Sequence, residues 1–395
     1  MLRSLRAFRA LNSPRSARLP ALLSALAAAV LAGCAAQPPV ATAPAAPAPS
    51  PAPAAPKALV IGHRGASALR PEHTLASYQR AIDDGADVVE PDLVMTRDGV
   101  LVARHENEIG TTTNVAELPQ FASRKRIKVI DGERLDGWFT EDFTLAELKT
   151  LRARERIPQV RKANTQYNDK FEIPTFDEII ELVAKASQRS GRVIGLYPET
   201  KHPSYFRGIG LPLEEKLVAT LQAHAYTRSA PVFVQSFETG NLREMRQRLA
   251  PGMPNVKLIQ LMGGAKNRPA DWRLAGDTRT FANMMTPIGL REVASYANGI
   301  GPEKSNVVPR DANGNLGTPT ALVRNAHAAG LLVHPYTFRP ENTFLPRNLR
   351  TGGDDATRSP GGMVREVQAF LAAGIDGFFT DDPALGRQAV DTLGR

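Results

Sequence analysis

Short apolar runs, many of them β-branched, recur along residues 57–395, mostly with helical patterns between them. That alternation limits the fold more than any other feature. The runs fall at 58–61, 87–96, 193–196, 232–234, 256–261, 299–308, 331–333 and 377–380. Apolar residues at helical spacing lie between them, as at 74–83, 213–223, 320–329 and 363–373. Strand alternating with helix implies a parallel sheet, and eight such units predict closure into a (β/α)8 TIM barrel, an α/β fold. The run at 299–308 is the weakest of the eight. After the second strand, Asp98-Gly99 turns the chain into a hairpin arm at 100–103. An insertion follows at about 106–190. It holds helical periodicity at 140–156 and 175–186, each opened by Thr with Glu three residues on: Thr144 with Glu147, and Thr175 with Glu178. That spacing is a capping box. A second irregular stretch at 339–362, rich in Gly, Pro, Asn and Asp, is expected to be a loop over the face that carries the strand C-termini.

The first 56 residues have a different character. Residues 1–33 carry Arg3, Arg6, Arg9, Arg15 and Arg18 and no acid, followed by an apolar run at about 21–32. This is the pattern of an export signal, too short for a membrane span. It ends in Leu31-Ala32-Gly33-Cys34, which resembles a bacterial lipobox, and Cys34 is the only cysteine. Residues 34–56 read as a lipidated cysteine with an Ala/Pro tether, eight prolines and no charge in 35–56, a composition that favours extended polyproline II over a packed core. The expected location is periplasmic, on the outer membrane. The formal charge of +9 drops to +4 once the signal's five arginines are set aside. That mild excess gives no reason to expect nucleic-acid binding, and no obligate protein partner is evident.

Polar residues gather at the C-terminal ends of the expected strands: His63 and Arg64, Glu90 and Asp92, His105, Glu199 and Lys201, Gln235 and Ser236, Tyr336 and Thr337, then Thr380-Asp381-Asp382. In a parallel barrel these ends share one face. Strand side chains alternate, so Glu90 and Asp92 point the same way, as do Glu199 and Lys201. Three carboxylates there can surround Ca2+ or Mg2+, which take oxygen ligands; thiolate coordination is excluded because no cysteine lies among these strand ends. Arg64 and Lys201 suit phosphate oxygens, and His63 and His105 titrate where proton transfer needs it.

In this order the motifs resemble glycerophosphodiester phosphodiesterases, in their periplasmic branch. They are Gly62-His63-Arg64-Gly65, Pro71-Glu72-His73-Thr74, Glu90-Pro91-Asp92, His105, Thr111-Thr112-Thr113, Phe171-Glu172-Ile173-Pro174-Thr175, Tyr197-Pro198-Glu199-Thr200-Lys201, Gln235-Ser236-Phe237 and Thr380-Asp381-Asp382-Pro383. The resemblance implies a TIM barrel, a metal on Glu90, Asp92 and Glu199, acid–base roles for His63 and His105, Arg64 and Lys201 on phosphate, and supporting places for Glu72 and Gln235. It departs at His73, where the family usually has Asn, and at Glu106, where it usually has Asp. The expected reaction is hydrolysis of a small-molecule glycerophosphodiester to glycerol 3-phosphate and an alcohol. Two other readings are a lysophospholipid-cleaving, phospholipase D-like barrel and a non-catalytic lipoprotein that binds phosphoesters.

Overall fold

The computed structural model describes residues 57–250 and 252–393. The expected signal, Cys34 and the tether lie outside them. Among the described residues there are thirteen strands: β1 (Leu59–Gly62), β2 (Val88–Val89), β3 (Asp92–Met95), β4 (Leu101–Ala103), β5 (Arg126–Ile130), β6 (Glu133–Gly137), β7 (Gly195–Leu196), β8 (Glu199–Thr200), β9 (Val232–Ser236), β10 (Val256–Met262), β11 (Gly299–Pro302), β12 (Leu332–Val333) and β13 (Gly377–Thr380). The main sheet runs β12-β11-β10-β9-β7-β2-β1-β13, with parallel pairing at every step. β3 continues β2 beyond Glu90-Pro91, β8 continues β7 beyond Tyr197-Pro198, and these extensions pair with each other, Asp92 opposite Glu199. The two end strands share no regular ladder. Separate backbone bonds join them instead, Asp376 N–H to the Val333 carbonyl (3.0 Å) and Phe379 N–H to the Pro335 carbonyl (3.1 Å). The architecture is the TIM barrel expected from the eight alternating units.

Period-two alternation divides each strand between two packed regions. Val60, Val89, Leu196 and Val234 face the helices. Ile61, Val88, Tyr197, Phe233, Ile259 and Phe379 form a separate buried cluster inside the barrel. There Tyr197 stacks on Phe233 and meets Phe379 edge-on, each at 4.9 Å, contacts worth about 1 kcal/mol each beyond area burial. Climbing each strand by two residues leads from this cluster to the mouth. Ile61 is followed by His63, Val88 by Glu90, Tyr197 by Glu199, Phe233 by Gln235 and Phe379 by Asp381. The inward row thus supplies packing below and chemistry above.

Several local expectations change. Helices form at Leu75–Asp83, Leu213–Ala223, Leu322–Ala328 and Pro360–Ala372, where the periodicity placed them. The third strand starts only at Gly195, and Val193 is exposed. The sixth is cut short at Pro302, and a turn of helix, Lys304–Val307, takes over. Both capping boxes are present. Thr175 opens a long helix, Phe176–Ser190, but Thr144 opens only one turn, Leu145–Leu148. The helix expected over 140–156 does not form because Ala153 turns extended and bridges Thr113. The inserted segment also holds the antiparallel β5–β6 hairpin. Its turn residues Asp131 (φ 50) and Gly132 (φ 83) are the left-handed pair that a tight hairpin requires.

Candidate active site

The mouth encloses a cavity of about 320 Å³. Glu90, Asp92 and Glu199 meet at its base with one oxygen from each within 4.8 Å of the others, all buried. Gln235 Nε2 and the Arg64 backbone N–H hold Glu90 from two sides (2.7 and 3.1 Å). Lys201 Nζ lies 2.8 Å from Glu199. His73 Nε2 lies 3.0 Å from Asp92 Oδ2, while Asp92 Oδ1 is buried without a partner. Burial, and then the charge of the neighbouring carboxylates, pushes Glu90 well above the usual carboxylate range. Burial raises Glu199 to about 7 against the pull of Lys201. Such a set is costly to ionise together without a cation, and its all-oxygen donors with one unused oxygen fit a hard divalent ion.

Two imidazoles stand beside this cluster, each with a carboxylate on Nδ1. His63 Nδ1 lies 2.5 Å from Asp381, and His105 Nδ1 bonds Glu106. A neutral ring that donates from Nδ1 leaves Nε2 as the acceptor. His63 Nε2 is 3.9 Å from Glu90 and 3.5 Å from the Thr337 hydroxyl. Burial, reinforced by Arg64, lowers His63 to about 4 despite Asp381. Burial, then Arg64 and Lys201, hold His105 well below its ordinary value. These shifts favour the neutral form of each ring.

Arg64 sits at a left-handed position, φ 56, a conformation that costs a non-glycine residue about 1–2 kcal/mol. The strand-to-helix turn imposes it. His73, also left-handed, gives its N–H to the Arg64 carbonyl (3.1 Å). Next to Arg64, Gly65 (φ 89) packs so tightly that a Cβ would come within 2.5 Å of the Ser77 backbone. Arg64 binds Glu72 at 2.9 Å, and its buried Nε lies 3.6 Å from Asp92 Oδ2 without making a hydrogen bond. Glu72 and Glu106 in turn share Arg156, each through two nitrogen–oxygen contacts of 2.6–3.0 Å. One chain of ion pairs therefore runs from Arg64 to the partner of His105.

Residues 63–385 match the glycerophosphoryl diester phosphodiesterase family. The chain belongs to that family. It is 38% identical over 336 residues to glycerophosphodiester phosphodiesterase GDPD6 of Arabidopsis thaliana, covering 81% of this chain and 82% of that one. It is 29% identical to a glycerophosphodiester phosphodiesterase of Haemophilus influenzae, covering 92% and 96%. Its fold matches a crystal structure from Silicibacter pomeroyi, described as a candidate member of the same family, with TM-score 0.59 and 20% identity over 86% of this chain and 95% of that one. The protein is a glycerophosphodiester phosphodiesterase.

Within this phosphodiesterase, His63, Arg64, Glu90, Asp92, His105, Glu199 and Gln235 all border the central cavity. Two expected residues stand further back. Lys201 borders the adjoining cavity, which shares Glu199 and Phe237 with the first, and Glu72 lies behind Arg64. His73 is fully buried between Tyr78 and Asp92, so it orients an acidic side chain and does not face the cavity. Sequence reading assigned no role to Asp381, Arg156, Arg161 or Arg339. Asp381 accepts from His63, from Arg161 (2.5 Å) and from Arg339 (2.9 Å). Its signal was its inward position two residues above Phe379.

Proposed function

We propose that the enzyme hydrolyses glycerophosphodiesters to glycerol 3-phosphate and an alcohol, with Ca2+ or Mg2+ at Glu90, Asp92 and Glu199 and with His63 and His105 exchanging protons. The observation that carries this reading is the pair of imidazoles, each held at Nδ1 by a carboxylate, beside three clustered buried carboxylates. A bound cation would neutralise charge on the phosphate oxygens. Arg64 Nε, which makes no hydrogen bond, offers a donor to the same oxygens, and Lys201 adds positive potential behind Glu199. One histidine, neutral, takes a proton at Nε2 from the attacking oxygen, and the other, protonated at Nε2 once the anionic phosphate lies beside it, gives that proton to the departing alcohol oxygen. The glycerol hydroxyl beside the phosphate is the attacking group, since an intramolecular nucleophile sacrifices little translational entropy. Water then opens the cyclic phosphate with the proton transfers reversed.

The test is release of glycerol 3-phosphate from a panel of glycerophosphodiesters. Turnover should vanish in excess chelator and return with Ca2+ or Mg2+. Undiminished turnover under chelation would remove the metal from the scheme, and no release from any diester would remove the reaction.

The location is proposed on sequence alone: export, then a lipid anchor on Cys34 at the outer membrane, facing the periplasm. The arginine-rich start, the short apolar run and the Ala/Pro tether support it. Cells fed a labelled fatty acid should label the protein, and Cys34→Ser should abolish the label. Label that survives the substitution would exclude this anchor.

A further inference from the structure

One wall of the central cavity has no part in the scheme above. Phe237, Leu261, Glu303, Tyr336 and Phe379 line it. Phe237 and Tyr336 stand nearly perpendicular, ring centres 6.1 Å apart. Both are half-buried, so their rings are open to the cavity. Glu303 is half-buried beside them, at the C-terminal end of β11, where its backbone bridges Tyr336. Its carboxylate has no hydrogen-bond or ion-pair partner among the described residues. The cations nearby are already matched. Lys304 is bound to Glu366 at 2.8 Å, and Lys201, 5.9 Å from the Phe237 ring centre, is bound to Glu199.

An unmatched negative charge beside two aromatic faces, in a cavity that also holds the phosphate-binding groups, is complementary to an organic cation. We infer that this wall binds the alcohol part of the substrate, and that the alcohol is a quaternary ammonium of the choline type. Aromatic rings attract such a cation through their negative faces, and its methyl groups fit against them. A primary ammonium fits less well. It brings three N–H donors, against which this wall, otherwise aromatic and aliphatic, sets only the Glu303 carboxylate and the Tyr336 hydroxyl oxygen as acceptors. Donors left unmatched on burial count against binding. A neutral glycerol head group would leave Glu303 unmatched. The inference rests on the proposed reaction and adds its preferred substrate, glycerophosphocholine.

The experiment compares kcat/KM for glycerophosphocholine, glycerophosphoethanolamine and glycerophosphoglycerol in the wild type and in Glu303→Gln. The wild type should rank choline first. The ratio of choline to glycerol substrate should fall about ten-fold in Glu303→Gln, the size expected for one charge contact with a partly desolvated cation. Glu303→Lys should reverse the ranking, and free choline should inhibit the wild type more strongly than either variant. A wild type that turns over all three diesters equally, or a ratio that survives Glu303→Gln, would overturn the head-group inference and leave the reaction standing. Failure to cleave any of the three would strike the reaction itself.

Discussion

The two histidines of the cavity are held in opposite ways. His63 is bound to a residue 318 positions away, and its partner Asp381 is nearly sealed from water and surrounded by Arg161 and Arg339. His105 is bound to its own neighbour in sequence, Glu106, and both side chains are about 30% exposed. The first pair knits strand ends, the insertion and the 339–362 loop into one fixed unit. The second sits at the rim, steadied by a single arginine, Arg156. Long-range closure thus fixes one proton carrier, and a local contact leaves the other freer to follow substrate.

The largest effect should come from removing either ring. His63→Ala and His105→Ala should each lower kcat about 10^2–10^4-fold while the protein stays folded, and either variant at full activity would break the pairing of roles. Next, Asp381→Asn should cost on the order of 100-fold in kcat, because it disturbs the ring tautomer, and should also lower Tm, because Arg161 and Arg339 lose their shared counter-charge. A drop in Tm with kcat intact would make Asp381 structural only.

His334 sharpens the comparison, being a buried imidazole outside the cavity that meets a neutral partner, the Tyr197 hydroxyl, at 2.8 Å. Burial lowers it to about 4 from 6.5. Since the folded value is depressed, its contribution is complete above pH 6.5 and is lost as pH falls towards 4, by about 3 kcal/mol in all. Denaturant unfolding at pH 7 and pH 4.5 should show that decline, with a shallower one in His334→Gln. Equal declines would contradict it. The smallest effect is assigned to Glu106→Gln, about ten-fold in kcat, because Arg156 keeps its contact with Glu72. A loss as large as that of Asp381→Asn would erase the distinction between a fixed and a freer histidine.

Much of this arrangement could be read from the chain because strand periodicity carries it. Residues two apart at a strand end share a face whatever the tertiary detail, so Glu90 with Asp92 and Glu199 with Lys201 could be paired in advance. The cross-chain partners could not. Nothing local marks Asp381 as the partner of His63, since the contact depends on the first strand, β1, pairing with the last, β13. His73 was identified as a departure, but its contact with Asp92 depends on the left-handed turn at residues 64–73. The β5–β6 hairpin was missed although Asp131-Gly132 is a strong turn signal. Its exposed strands interleave Arg126, Lys128, Glu133, Arg134 and Asp136 with apolar residues, leaving no buried stripe to find. Helical spacing at 140–156 misled because the buried Leu148, Leu151 and Ala153 are fixed by tertiary contacts and not by a helix face.

Because packing below and reactive groups above occupy the same inward rows, the strands leave little room for evolutionary drift. Trimming Ile61 or Tyr197 would tilt the residue two places above it, so a lineage seeking a new head group gains nothing by altering the staves. Glu303 and Tyr336 touch the cavity from beyond the strands, so changes there leave the inward rows in place. A mutagenesis library aimed at new substrates belongs at those positions.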